Sequence, residues 1–306
     1  MSTNAALPSG KTWRIDHGPY SAVVAEVGAT LWALAYDDQP LIAGPAPDEW
    51  PDEAAGQVLA PWSGRLGDGL YRFEGAMGKA PLDEPERNAA LHGLVRWQPW
   101  TLEAHALNRV TLSCQLRPTP AYPFSLLLNV EYRLGRDGLV VTTFVTNTGA
   151  TPAPLALGFH PYLTAGTPSV DLGRLRIAAG HRLVLDERLL PTGEQRPVAG
   201  TELDFRSPRT LGPLSIDAVY SDLERDGLGH ATASIQSPDS GEGAELWVDG
   251  AFRYLVAYAP AHRRSGIAIE PCTSPPDALR SGRDLIVLDP HEQFEGSFGI
   301  RRLQHG

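Results

Sequence analysis

Residues 100–147 read WTLEAHALNRVTLSCQLRPTPAYPFSLLLNVEYRLGRDGLVVTTFVTN. Four apolar-rich runs lie in this stretch: TLEAHAL, RVTLSCQL, FSLLLNVEYRL and GLVVTTFVTN. Each has strand length, and short polar or Pro/Gly breaks separate them. Arg136-Asp137-Gly138 is turn chemistry between the last two. Strand-length runs at hairpin spacing specify an antiparallel all-β fold.

The same pattern extends outward from this meander. WRIDHG from Trp13 and YSAVVAEVGATLWALAY from Tyr20 read as strands, with Gly28 breaking the second run into two. Residues 44–56, GPAPDEWPDEAAG, form an acidic, Pro-rich loop. Residues 60–75 are Gly-dense and end in the strand Leu70–Phe73. Beyond the meander, RLRIAAG and HRLVLDERLLPTGE read as strands, as do ATASIQS, AELWVDG and FRYLVAYAP. Asp249-Gly250 reads as a hairpin turn. Pro290 divides two closing strands. The expected organisation is a flexible tail over 1–11 and one β domain over 12–306.

Composition narrows the function. Hydrophobic residues make up 42% and charged residues 20%, so the chain can bury a core. The formal charge of −10 argues against nucleic-acid and anionic-membrane partners, which need a basic face. The N-terminus lacks a basic segment followed by an apolar run, and no apolar stretch approaches a membrane span, so the expected location is cytoplasmic. Cys114 and Cys272 have no metal-ligand spacing and are expected as free thiols. No phosphate-cradling glycine motif, paired metal-binding histidines or nucleophilic serine elbow occurs.

What remains is a set of polar residues at turns and strand exits. Glu270 follows the apolar run Ile267-Ala268-Ile269, the end of a half-buried strand, and precedes Pro271. His160 follows the short strand Leu155–Phe159 and precedes Pro161, repeating that arrangement. Arg65 follows Gly64 in a tight turn, His92 precedes Gly93, and Asp217 precedes a small apolar run. Trp62 offers a face for sugar stacking. Taken singly, each also fits an ordinary structural role, such as a turn-capping carboxylate or a core tryptophan. Taken together, a carboxylate and an imidazole on opposite sides of a substrate can move one proton in and one out, with no metal or cofactor.

In this order the motifs resemble the aldose 1-epimerase (galactose mutarotase-like) family. The matching pieces are the Arg65 segment with DGLYRFEG, LHGLVR around His92, GFHPYL around His160, DAVY at Asp217 and IAIEPCTSPPDAL around Glu270. They span residues 12–303. The resemblance implies one large twisted β-sandwich whose groove takes a monosaccharide, in a monomer or homodimer. It further implies Glu270 as base on the anomeric hydroxyl and His160 as acid on the ring oxygen, assisted by His92. Arg65 and Asp217 would hold hydroxyls or the developing charge. Gly64 stands where many members have Asn, and Leu163 where many have Phe.

Three other readings remain open. A mutarotase for a phosphorylated or sulfonated sugar would bring arginines such as Arg65, Arg263 and Arg264 together. A carbohydrate-binding or sensing protein would keep the groove without catalysis. A glycoside hydrolase would use Glu270 and Asp217 as a carboxylate pair about 5–10 Å apart.

Overall fold

The computed structural model describes residues 7–45 and 49–303. Two antiparallel sheets dominate it. The nine-stranded sheet runs Thr101–Ala106, Arg109–Leu116, Leu126–Gly135, Gly138–Asn147, Gln293–Leu303, Gly243–Val248, Ala231–Gln236, Arg174–Ile177, Arg209–Thr210. The eight-stranded sheet runs Pro191–Pro197, Ala179–Leu185, Ile216–Leu223, Tyr254–Ala259, Ile267–Cys272, Gly158–Phe159, Val58–Leu59, with Tyr162–Leu163 also on Ile267–Cys272. Thr12–His17, Tyr20–Ala25, Leu31–Tyr36 and Gln39–Pro40 form a separate N-terminal sheet.

The all-β expectation holds, and the 100–147 meander explains why. In Leu126–Gly135 and Gly138–Asn147 buried and less buried residues alternate, as the two-residue period of a strand requires. Leu128, Val130 and Tyr132 face the core beside Val141 and Val145. Gly135 pairs with Gly138, so Arg136-Asp137 is the two-residue loop, and Gly138 takes a positive φ there. One cluster of buried side chains runs from Ile15 to Ile300. Cys114 and Cys272 are free and buried.

Asp249-Gly250 is not a hairpin. The strand before it, Gly243–Val248, belongs to the nine-stranded sheet, whereas Tyr254–Ala259 belongs to the eight-stranded one. The Asp249 carboxylate accepts from the N–H groups of Ala251 and Ser297, closing a turn that carries the chain between sheets. An Asp-Gly pair signals reversal but does not fix what the next strand pairs with.

At the N-terminus, Ser9 is buried and its carbonyl accepts from Val27 N–H, while Lys11 exchanges bonds with Glu26. Residues 1–6 of the expected tail lie outside the described residues. In the acidic loop, Glu53 accepts hydrogen bonds from the Tyr162 and Tyr258 hydroxyls and contacts His262, which pins this loop to the eight-stranded sheet. No described helix is long and apolar enough to cross a membrane.

Candidate active site

The strand that carries Glu270 is buried on both faces along its whole length, Ile267–Cys272. It is not half-buried, and Glu270 is inside it rather than at its exit. Tyr254–Ala259 covers one edge. The other edge is shared by Gly158–Phe159 and Tyr162–Leu163, interrupted at His160-Pro161. Pro271 removes one backbone donor beside this interruption.

Register then fixes the central pair. Gly158 lies across from Cys272, and Tyr162 across from Ala268. Counting inward from both sets His160 across from Glu270. Cross-strand neighbours share a face, so their side chains meet. His160 Nε2 is 3.3 Å from Glu270 Oε1, and both residues are buried. The same row continues through Val256 and Val219. Two residues along, on the same face, Asp217, Tyr258, Ala268 and Tyr162 form a second row. The sheet itself is therefore the floor of a cavity of about 590 Å³, lined by His160, Glu270, Asp217, Tyr258, Val219 and Val256, among others.

The remaining polar groups come from a two-stranded ribbon. Arg65–Gly67 pairs with Ala89–Leu91, with Arg65 across from Leu91. His92 follows, at positive φ, and its N–H donates to the Gly64 carbonyl. Gly64 N–H in turn donates to His92 Nδ1 at 3.2 Å. A neutral ring that accepts at Nδ1 carries its proton on Nε2, which makes that nitrogen a donor. The His92 and His160 rings meet edge to face, with centroids 5.2 Å apart.

Arg65 forms a fork on Glu84, with bonds of 2.7 and 3.0 Å, and its third nitrogen is 3.6 Å from Asp217. Glu84 is itself held by two backbone bonds to Ala89 and by Arg87 at 3.0 Å. This carboxylate is a site residue that sequence reading missed. It sits in the acidic run Asp83-Glu84-Pro85-Glu86, which reads as a solvated loop, and only the fold turns it inward.

Burial dominates the protonation of the floor. It pushes His160 down to about 3, with Arg263 and Arg96 adding to the effect. Burial also pushes His92 well below the usual imidazole range, helped by His160 and the nearby arginines. Glu270 moves the other way, up because of burial and the charge of Asp217, with Arg65 opposing. Asp217 is raised by burial against the pull of Arg65. For the contacting pair His160 and Glu270 burial therefore works against the charged form of each side chain. Burial disfavours both a second proton and the loss of the first.

His160 and Glu270 are adjacent here, on neighbouring strands of one sheet, and not on opposite sides of the cavity. This suits hemiacetal chemistry, because the hydroxyl oxygen and the ring oxygen are bonded to one carbon. His92, His160 and Glu270 also offer ligand atoms within 4.8 Å of one another, so they are the residues that would hold a metal ion if one bound.

The other expected site residues divide. Arg65, His92, His160, Asp217 and Glu270 all line the cavity. Trp62 does not. It is 3% exposed, packed in the core, with its indole N–H on the Ala90 carbonyl. Trp50 and Trp97 line the cavity instead. Arg263 and Arg264 do not join Arg65 on the cavity wall. Arg263 lies over the Tyr162 ring, 4.1 Å from its centroid, and Arg264 is tied to Asp171 and to the carbonyls of Gly212 and Ala259. Cys272 is buried, and burial with the nearby Glu270 raises its thiol pKa, which makes it a poor nucleophile.

A family model described as aldose 1-epimerase matches residues 11–301. The chain belongs to the aldose 1-epimerase family. An uncharacterized protein of Escherichia coli, YihR, is 32% identical over 301 residues, 96% of this chain and 95% of that protein. Galactose mutarotase of Homo sapiens is 33% identical over 168 residues, 51% of this chain and 46% of that enzyme. A galactose mutarotase-like protein from Clostridium acetobutylicum has the same fold, with a TM-score of 0.86 at 21% identity over 96% of this chain and 95% of that one. The fold expected from the family motifs is thus found.

Proposed function

We propose that the protein interconverts the α and β anomers of a free hexose by acid–base opening and reclosure of the ring. The observation that carries this reading is the 3.3 Å contact between His160 Nε2 and Glu270 Oε1 on the cavity floor. In the reactive form His160 carries a proton and Glu270 is ionised; the positive charge of Arg65 favours the ionised carboxylate. Glu270 takes the proton of the anomeric hydroxyl while His160 gives its proton to the ring oxygen. The C1–O5 bond breaks and an open-chain aldehyde forms. Rotation about C1–C2 presents the other face of the carbonyl. His160 then removes the proton from O5, O5 attacks C1, and Glu270 returns its proton to O1. Every proton is restored at the end of the cycle. The Nε2–H of His92 is suited to steadying an oxygen as charge develops. Arg65, fixed by Glu84, and Asp217 are suited to the remaining hydroxyls.

The charge of the cavity supports an uncharged sugar over a phosphorylated or sulfonated one. Asp52, Glu53, Asp83, Glu84, Glu86, Asp217 and Glu270 line it, against Arg65, Arg87 and Arg96. Each of these arginines is already paired with a carboxylate. A hydrolase is less well supported, because the nearest partner of Glu270 is an imidazole and Asp217 is engaged by Arg65. A binding protein would have no use for the proton-carrying pair.

The test is polarimetry on freshly dissolved α-D-glucose and α-D-galactose, with wild type beside Glu270→Gln and His160→Asn. Wild type accelerates the decay to equilibrium rotation, and each variant loses roughly 10²–10⁴-fold while remaining folded. Near-normal rates in either variant, or no acceleration by wild type on either sugar, would refute the proposal.

A further inference from the structure

The imidazole of His160 lacks the support that a proton-transferring ring usually has. Such a histidine is ordinarily oriented by a hydrogen bond to its second ring nitrogen. Here Nε2 faces Glu270 at 3.3 Å. Nδ1 is buried and has no hydrogen-bond partner on another residue among those described. One contact of that length does little to stop the ring turning about its Cβ–Cγ bond, where the torsion is soft. Its orientation has to come from packing.

Tyr162 supplies that packing. Its ring stacks on His160, with centroids 5.2 Å apart and planes inclined at 24°. His92 and Tyr258 meet the same imidazole edge to face, at 5.2 and 6.4 Å, but both line the cavity. Tyr162 is 1% exposed and forms no part of the cavity wall, so it reaches the reaction only through His160. Burial and the nearby Glu53 push its phenol well above the usual tyrosine range, which keeps it out of proton transfer.

Tyr162 is itself held twice. Its hydroxyl donates to Glu53 Oε2 at 3.2 Å, and the Arg263 guanidinium lies over its ring, 4.1 Å from the centroid. Arg263 in turn donates to the Asp52 carbonyl at 3.1 Å, next to Glu53. The backbone is bent around this carboxylate. Glu53 and Ala54 both take left-handed φ, 51° and 58°, which residues with a Cβ adopt only where other contacts compensate. Glu53 has those contacts in Tyr162, Tyr258 and His262. A few residues on, Gly56 N–H donates to the His160 carbonyl, and His160 N–H donates to the Gln57 carbonyl. One loop therefore holds the backbone of His160 and, through Tyr162, its ring.

Resting on the mutarotase reading, we infer that Tyr162, clasped by Glu53 and Arg263, is the positioning residue of His160. It does by stacking what a hydrogen bond to Nδ1 does elsewhere. Turning the imidazole would drive it into a phenol that is fixed at its hydroxyl and over its face. Nε2 therefore stays aimed at Glu270 and at the ring oxygen while the proton passes.

The experiment is polarimetry on freshly dissolved α-D-glucose and α-D-galactose at several concentrations, with wild type beside Tyr162→Leu, Tyr162→Phe and Arg263→Met. Tyr162→Leu removes the stack. It lowers kcat by roughly 10–100-fold, the scale of a misplaced reacting group, and leaves KM within about twofold, because Tyr162 does not touch the sugar. Tyr162→Phe restores the stack and recovers most of that loss. Arg263→Met leaves the stack but frees the phenol, and carries the test should Tyr162→Leu not fold; its kcat falls by about three- to fivefold, the scale of one cation–π contact, at unchanged KM. Proton NMR follows the ring itself. The His160 Cε1–H signal, identified by its loss in His160→Asn, is single in wild type and Tyr162→Phe and broadened or doubled in Tyr162→Leu. Normal kcat in both Tyr162→Leu and Arg263→Met, a loss that appears in KM, or Tyr162→Phe no better than Tyr162→Leu overturns the positioning role and leaves the proposed function standing. No acceleration of either sugar by wild type overturns both.

Discussion

Glu84→Gln tests the part of the site that the fold alone assembled. The Arg65–Glu84 pair is largely shielded, with side chains 15% and 10% exposed, and its two bonds form a fork. Removing one partner of a buried pair costs about 3–5 kcal/mol, because the other charge is left uncompensated. Gln keeps one acceptor oxygen, and Arg65 can still lean on Asp217 at 3.6 Å. The expected loss is therefore about 2–3 kcal/mol. Arg87 also loses Glu84, but it is half-exposed and retains Glu86 at 3.4 Å, so it adds about 0–1 kcal/mol at most. Arg65 swinging toward Asp217 should raise KM by about tenfold, equivalent to about 1.4 kcal/mol, with a smaller change in kcat. Urea unfolding measures the stability and polarimetry at several sugar concentrations the kinetics. A double-mutant cycle with Arg65→Gln should return a coupling energy of at least about 1.5 kcal/mol. Stability within about 0.5 kcal/mol of wild type, an unchanged KM and near-zero coupling would show that Glu84 does not position Arg65.

Three further outcomes are expected. The pH profile of kcat/KM should be bell-shaped, because turnover needs one proton on the His160–Glu270 pair. Its acid limb should lie well below the usual imidazole range, toward the value of about 3 for His160, and its alkaline limb above the usual carboxylate range, as Glu270 is raised; an acid limb at an ordinary His value near 6.5 would contradict this assignment. Stability should respond to the same burial: His160, neutral in the folded state, contributes a fall in stability as pH drops from about 6.5 toward 3, while the raised Glu270 contributes in the opposite sense, because the folded state holds its proton to higher pH than the unfolded chain does. His160→Gln should remove the first contribution in melts from pH 7 to 4, and an unaltered slope would mean that His160 does not carry it. Gly64→Asn, which introduces the residue common in the family, should destabilise by about 1–3 kcal/mol, since a Cβ there would be 2.8 Å from Pro276 Cγ. Asn tolerates the positive φ of 66°, so an unchanged unfolding midpoint would show that Pro276 gives way.

Much of this protein was legible in order along the chain. The alternation in residues 126–147, the Arg136-Asp137 loop and the break at Pro290 are local, and each needs only strand period and turn chemistry. The motifs around His160 and Glu270 are legible because a strand, one titratable residue and a proline follow one another in sequence. The roles proposed for them are those that the family resemblance implies. What sequence does not contain is register between segments about 110 residues apart. That register sets His160 beside Glu270. The same limit explains Asp249-Gly250, a turn whose next strand joins the other sheet. It explains Glu84, which reads as solvent-facing until the ribbon folds over the cavity. It explains the tryptophans too, since an indole has the same preference for a core and for a sugar face, and only packing sent Trp62 inward and left Trp50 and Trp97 at the mouth. Local preferences act over a few residues and survive in the sequence. The pairing of distant strands and the side on which a loop lands depend on summed burial across the whole chain, and these the tertiary structure decided.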